Sequence, residues 1–207
     1  MFASQKAQPS RWCWILGVIA AVIMLWGTAK EAEAVPRILR PHNRAAAYQF
    51  SIGPTSIAAG SVNAFGFGVS GFGGAVYGHI SNVVGFHFSG RGHGPALGGA
   101  LDIYFSGNSV LFAPGVRFWW DIPIARMAIY VAPFAQAGLA IGASNGFALG
   151  ADLQFGVEGK VVLNKRLLLT LKPVAFDIQI IGSTGGGGGL LVLFNVEFFH
   201  VGVGVVF

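Results

Sequence analysis

Residues 147–163, FALGADLQFGVEGKVVL, alternate between apolar and polar side chains with a period of two. Leu153 and Phe155 fall on one face of this pattern, whereas Asp152 and Glu158 fall on the other. Successive side chains of a β-strand point to opposite faces of a sheet, so the pattern predicts one strand with an apolar face and a charged face. The predicted strand is far longer than the usual strand of about 5–6 residues. Few architectures can be built from strands of this kind.

The same alternation recurs through most of the chain, with turn sequences such as NKR (164–166) between the alternating segments. It slips at Pro173 and at Phe198-Phe199, and each slip predicts a β-bulge. Alternating segments of about ten residues joined by turns are typical of transmembrane β-barrels. We therefore predict an all-β fold, an antiparallel up-and-down transmembrane β-barrel with eight strands. The predicted strands are residues 67–79, 82–91, 95–106, 109–120, 127–142, 147–163, 166–181 and 190–207.

A soluble β-sandwich is the alternative for such a chain, and the charged face distinguishes the two folds. Only 10% of the residues are charged, whereas 54% are hydrophobic. A sandwich turns its polar face to water, but a narrow barrel turns its apolar face to lipid and can pair opposite charges inside. Charged residues of mixed sign are therefore predicted to form a network in the barrel interior. They are Asp102, Arg117, Asp152, Glu158, Lys160, Lys172, Asp177 and Glu197.

The last predicted strand carries a second pattern. In HVGVGVVF (200–207), valines alternate with a histidine and glycines, and the sequence ends on an aromatic residue. This stretch resembles the C-terminal assembly signal of small bacterial outer-membrane β-barrel proteins, with an OmpA-type eight-stranded architecture and no specific family. The resemblance implies that the barrel-assembly machinery pairs with this strand by β-augmentation and recognises its terminal aromatic residue. The corresponding residues are His200, Gly202, Val205 and Phe207.

The first 34 residues have the pattern of a secretory signal peptide. Lys6 and Arg11 precede the apolar run 12–27, and a small-residue cleavage site ends at Ala34. We expect export and cleavage after Ala34. An uncleaved membrane anchor is the alternative, although a membrane-spanning helix needs about 20 apolar residues. The single cysteine, Cys13, lies in this segment, so the exported part is expected to have no disulfide.

Residues 35–66 allow two interpretations. Arg37 and Arg40 near the start suggest a basic periplasmic segment, but YQFSI (48–52) and SVNAFGF (61–67) could form two additional strands and make ten. We favour eight strands because at that number side chains just fill the interior of a barrel. The barrel is accordingly predicted to occupy residues 67–207.

One short motif invites a catalytic interpretation. GHISN (78–82) resembles the His-x-Ser-Asn stretch of outer-membrane lipid A deacylases, in which a His–Ser pair near a carboxylate would cleave an acyl chain. Here the motif falls between two predicted strands, and no Asp or Glu follows before Asp102. We therefore interpret it as a polar loop tip and predict no catalytic residue.

Other classes of site find little support in the sequence. The five histidines lack the spacing of a metal site, and a net charge of +5 is too small and too dispersed for a nucleic-acid surface. We predict no enzyme activity, cofactor or metal. The predicted role is structural, or one of limited permeability, in the bacterial outer membrane. The alternatives are a narrow pore for small solutes and a lipid-modifying enzyme. Outer-membrane lipid and, during biogenesis, the barrel-assembly machinery are the predicted partners, nucleic acid is not, and the sequence leaves the identity of any stable protein partner open.

Overall fold

The computed structural model describes residues 44–63, 66–68, 76–106, 109–124, 127–143, 147–183 and 190–207. The predicted signal peptide, residues 1–34, lies outside the described residues and stays a prediction. In the part of the chain that the structure describes, no helix has the length and hydropathy needed to span a membrane.

The described strands form a closed antiparallel barrel. Each long strand pairs with the next one along the chain, and the last strand returns to pair with the first. Eight long strands make up the wall, and a three-residue strand, Gly66–Gly68, pairs only with the end of the first long strand, Ala46–Asn63. The predicted fold class and strand number are therefore confirmed. The strands are β1 (Ala46–Asn63), β2 (Gly66–Gly68), β3 (Val76–His87), β4 (Gly94–Ser106), β5 (Ser109–Pro123), β6 (Ile129–Ala143), β7 (Phe147–Leu163), β8 (Leu167–Ser183) and β9 (Leu190–Val206).

Strands β1 and β9 form the seam that closes the barrel. Their partner pairs extend from Ala47–Val206 to Gly60–Val192. The backbones of Ala46 and Phe207 exchange hydrogen bonds of 3.1 and 2.9 Å at the end of this seam. Because each long strand has a neighbour on both sides, the wall exposes no continuous strand edge that would need water.

The prediction is wrong for the first two strands. Residues 46–63 form β1 of the wall, and a single strand, β3, crosses the region where we predicted the hairpin 67–79 and 82–91. The number eight is still correct because one strand is gained and one is lost. Asn82 contributes to the error because a polar residue on the outer face resembles a turn residue. Its Oδ1 accepts a 2.8 Å hydrogen bond from the hydroxyl of Tyr48, which allows it to lie in the wall.

The wall is apolar outside and polar inside. Leu153 and Phe155 on the outer face of β7 are 43% and 47% exposed, whereas Gln154 between them is 1% exposed. All six Asp and Glu residues in the described part of the chain are buried. In a soluble β-sandwich the polar face of each sheet meets water, so these charged residues would lie on the surface. In this barrel they lie in the interior.

The two ends of the barrel differ. We call the end that carries the turns 88–93 and 164–166 the turn end. Asn164 and Lys165 have φ values of 50° and 61°, as a type I′ hairpin turn requires. Apolar side chains pack together inside the barrel at this end: Ala128, Tyr130, Val162, Leu168 and Val206. At the opposite end, each segment that joins two long strands contains residues outside the described part of the chain.

Candidate functional site

The eight charged residues that were predicted for the interior all lie inside the barrel. Their exposed fractions range from 0% to 5%. The structure places six of them in two separate groups of ion pairs and leaves Asp152 and Asp177 outside both. One group extends from a turn-end cluster around Asp121 to the Arg117–Glu158 pair, and the other is a central cluster around Glu197.

Asp121 is the centre of the turn-end cluster. Its carboxylate lies 3.0 Å from Lys160 Nζ and 2.7 Å from His87 Nε2, and it accepts a 3.2 Å hydrogen bond from the indole N–H of Trp119. Lys160 Nζ also lies 4.9 Å from the centre of the Trp119 ring. Asp121 is not among the interior residues predicted from the sequence. The alternation of β5 would have revealed it, because Arg117, Trp119 and Asp121 share a face.

Glu158 interacts with two positively charged side chains. Its Oε1 lies 2.8 Å from Arg117 Nη2 and accepts a 2.9 Å hydrogen bond from Gln49 Nε2, while its Oε2 lies 3.9 Å from Lys160 Nζ. The Arg117 guanidinium also lies 3.7 Å from the centre of the Phe134 ring. A buried carboxylate is stable only when such partners replace its lost hydration. Glu158 meets that requirement and connects Arg117 with the turn-end cluster.

Glu197 is the centre of the central cluster. Lys172 Nζ lies 2.5 Å from its Oε2, and the Gln154 amide donates a 2.5 Å hydrogen bond to its Oε1. His79 Nδ1 lies 3.0 Å from the same Oε1. Four strands, β3, β7, β8 and β9, thus contribute side chains that meet at one carboxylate.

His79 joins two carboxylates across the interior. Its Nε2 lies 3.0 Å from Asp102 Oδ1, on the other side of the ring from its contact with Glu197. The Gln136 amide donates a short hydrogen bond to Asp102 Oδ2. The ring of Tyr104 stacks on the His79 imidazole at 4.3 Å, which fixes the plane of that ring. His79 therefore occupies a packed position with both ring nitrogens engaged.

GHISN is not a loop tip, and that prediction is wrong. His79 and Ser81 both point into the barrel from β3 and are 0% exposed. Asp102 does supply a carboxylate beside His79, but both nitrogens of His79 contact carboxylates and Ser81 Oγ has no hydrogen-bond partner. A nucleophilic serine needs a hydrogen-bonded base. Ser81 has none in this arrangement, and it faces away from the outer surface of the wall.

Two β-bulges bring the central cluster together. Phe199 has a φ of 51°, and both Phe198 and Phe199 are exposed on the outer face. Glu197 and His200, three positions apart, consequently both point inward, whereas a regular strand would direct them to opposite faces. The register between β7 and β8 shifts at Val157/Gly159, opposite the proline-containing segment of β8. The slips in the sequence pattern thus mark the places where the interior side chains are redirected.

The carboxylate pair, Asp152 and Asp177, lies apart from both groups of ion pairs. The two buried side chains come from neighbouring strands, β7 and β8, at diagonal positions of the register, in which Asp152 is opposite Gln179 and Asp177 is opposite Gln154. Oδ2 of Asp177 accepts 2.8 Å hydrogen bonds from the side-chain amides of Gln179 and Asn195. No Lys, Arg or His of the described residues forms an ion pair with either carboxylate.

Side chains leave little space in the turn-end half of the interior. A cavity of about 20 Å³ lies among residues that include Gln49, His87, Trp119 and Lys160. A space of this size holds about one water molecule. The apolar side chains around Tyr130 line the mouth next to it. The described side chains therefore fill most of the interior at this end.

One group of described side chains has the composition of a metal site. His79, Glu197 and His200 each offer a ligand atom within 4.8 Å of the others, and two histidines with a carboxylate are a common zinc ligand set. These donors already have partners, however, because Glu197 binds Lys172 and His79 binds Asp102. The geometry favours an ion-paired cluster over a metal centre.

Comparison with known proteins supports the fold. The crystal structure of Neisserial surface protein A (NspA) matches with a TM-score of 0.57 and 12% sequence identity, over 78% of this chain and 97% of the NspA chain. The N-terminal β-barrel domain of Pseudomonas aeruginosa OprF matches with a TM-score of 0.42 and 13% identity, over 79% of this chain and 98% of that domain. No protein-family model and no curated protein sequence matches the chain. The likeness to NspA shows a shared eight-stranded barrel fold.

Proposed function

We propose that this chain is a bacterial outer-membrane barrel with a structural role in the envelope, and that its interior conducts no general flow of solutes. The outer wall supports the membrane location. Large apolar side chains such as Val116, Phe155 and Val201 are 47% to 56% exposed on it. A continuous apolar surface of this kind needs lipid as its solvent, and a closed barrel satisfies its backbone hydrogen bonds without water.

The turn end is the proposed periplasmic end. Periplasmic connections of outer-membrane barrels are short turns, and the longer loops lie outside the cell. Val205 and Phe207, two residues of the proposed assembly signal, lie at this end and are 47% and 57% exposed on the outer wall. His200 and Gly202 point inward on the same strand. This arrangement supports recognition of the outward-facing residues by the assembly machinery, with lipid covering them afterwards.

The filled interior is the observation that carries the structural role. Arg117, Lys160 and Lys172 each form an ion pair with a buried carboxylate. A solute that crossed the barrel would have to separate these pairs in a medium of low dielectric constant, which is costly. A static barrel that joins the two faces of the membrane is therefore a better fit than a pore.

Conductance in planar lipid bilayers tests this proposal. We expect the purified wild-type protein to give no steady current under conditions in which a general porin conducts. The matched variant is Arg117→Ala with Lys160→Ala, which removes two long side chains from the turn-end half and should leak. A stable porin-like current from the wild-type protein would reject the structural role and favour the narrow pore. Cell fractionation tests the location separately, because a structural barrel should sediment with the outer membrane.

A further inference from the structure

Two groups of described interior side chains could bind a cation, and their charge balance differs. The central cluster offers His79, Glu197 and His200. It already contains the ammonium group of Lys172 at 2.5 Å from Glu197. A divalent ion there would have to replace this ion pair or lie beside a like charge, so the central cluster is the poorer site.

The carboxylate pair, in contrast, has no cationic side chain of the described residues beside it. Asp152 and Asp177 are 0% and 1% exposed, and the only hydrogen bonds that Asp177 receives from described side chains come from the neutral amides of Gln179 and Asn195. Neither carboxylate has an ion pair within the described part of the chain. Two adjacent buried carboxylates without a cation are costly. The arrangement therefore needs positive charge.

Unpartnered oxygen atoms identify where that charge would lie. Both carboxylate oxygens of Asp152 and Oδ1 of Asp177 are buried and accept no hydrogen bond. Oδ1 of Asn195 is also unpartnered, although Asn195 is neutral and only 3% exposed. Its Nδ2 lies 2.8 Å from Asp177 Oδ2, so the unpartnered oxygen belongs to an amide group that contacts the carboxylate pair. Buried polar atoms nearly always have a partner. These oxygens could have a bound cation as theirs.

The other carboxylates of the described interior do have cationic partners. The described interior contains six Asp and Glu side chains but only three Lys and Arg side chains. Those three cations, with His79 and His87, contact Asp102, Asp121, Glu158 and Glu197. The carboxylates without a cationic partner among the described side chains are thus Asp152 and Asp177.

We propose that Asp152, Asp177 and Asn195 bind a hard divalent cation, Ca²⁺ or Mg²⁺, inside the barrel. The available donors are carboxylate and amide oxygens, which these two ions prefer, whereas zinc favours nitrogen and sulfur ligands. Two positive charges neutralise the two carboxylates. The bound ion connects β7, β8 and β9, because each of these strands supplies one ligand residue.

Cation titration of the folded protein tests the site. Wild-type protein in lipid vesicles is treated with EDTA, transferred to cation-free buffer and titrated with CaCl₂ or MgCl₂ by calorimetry, and its thermal unfolding is followed in parallel. We expect saturable binding of one ion per barrel and a higher unfolding temperature with the ion. The double variant Asp152→Asn with Asp177→Asn preserves side-chain shape, and it should lose both the binding and the response to the ion. Asp121→Asn removes a carboxylate of the turn-end cluster and should retain the binding.

Two results would overturn the proposal. One is the absence of saturable Ca²⁺ or Mg²⁺ binding by the wild-type protein, and the other is equal binding by the double variant. A third pattern would also reject the cation site. In it, the wild-type protein binds neither ion but becomes more stable on acidification, and the double variant does not become more stable. The two carboxyl groups would then share a proton. The calorimetric measurement on wild-type protein decides the question even if the double variant fails to fold.

Discussion

Lys172 and Glu197 show what a single ion pair contributes inside this barrel. The two groups are 2.5 Å apart and almost completely buried. Removing one partner of a buried pair leaves an uncompensated charge and costs about 3–5 kcal/mol. We therefore expect Lys172→Ala to lower the free energy of unfolding by about this amount, measured by urea denaturation in lipid vesicles.

Lys165 provides the control for Lys172. It is exposed in the turn 164–166, so Lys165→Ala should change the free energy of unfolding by no more than about 0.5 kcal/mol. Equal stability of the two alanine variants would show that the central ion pair contributes nothing.

Substitution of Gly202 tests whether this glycine is needed for packing in the barrel or for recognition by the assembly machinery. A Cβ atom at this position would lie 2.6 Å from the carbonyl oxygen of Phe50 and 2.8 Å from Cβ of Ser51. Overpacking of this kind costs about 1–3 kcal/mol, so Gly202→Ala should refold poorly from urea into vesicles without any assembly machinery. Gly99→Ala is the control, because a Cβ there meets no atom within 4 Å. Normal refolding of the Gly202→Ala variant would show that packing does not require this glycine, and a role in the assembly signal would then explain it.

The facing of individual side chains could be predicted from the sequence, but their partners could not. A period of two placed Asp102, Lys172 and Glu197 on the inner face because that period is a property of the strand itself. The contacts of Asp102 with His79, and of His79 with Glu197, depend on the register of three strands and on the closure of the barrel. Those quantities are set by pairing between distant segments, which a local pattern does not record.

At the scale of the strand, long apolar alternation predicted β4 to β9 well. It failed for β1 and β3 because the alternation is interrupted in each strand. The register of β1 shifts between Ile52 and Thr55, and β3 carries the polar residue Asn82 on its outer face. These interruptions shorten the alternating runs, and GHISN resembled a turn. The GHISN error also hid the contribution of His79 to the central cluster.

The outer face of β7 gives a test at this scale. Leu153 is near the middle of the strand and 43% exposed. An arginine facing lipid at the bilayer midplane costs about 2–4 kcal/mol, so Leu153→Arg should lower the free energy of unfolding in vesicles by about this amount. Leu153→Met keeps an apolar side chain of similar size and should have little effect. Equal stability of the Arg and Met variants would place this face away from lipid.

Assembly concerns the whole molecule, and Phe207 tests it. The residue is 57% exposed on the outer wall at the end of the seam. If the assembly machinery recognises this aromatic side chain, Phe207→Asp should reduce the amount of heat-modifiable barrel in the outer membrane. The purified variant should still refold into vesicles, because the backbone hydrogen bonds of the seam do not require an aromatic side chain. Asn164→Asp adds the same single negative charge in an exposed turn at the same end and should assemble normally. Unchanged insertion of the Phe207 variant would contradict the proposed signal.

The seam between β1 and β9 also determines the order in which this barrel can fold. Each other pair of long strands is adjacent along the chain and can form as a hairpin, but Ala47 meets Val206 only after the whole sheet has curled round. Contacts between such distant segments require the largest loss of chain entropy and slow folding. Until they form, the protein is an open ribbon with two unpaired edges, both able to aggregate with another chain. Closure is therefore the step at which a nascent barrel is most vulnerable, and a template that covers the edge of β9 would protect it during that interval.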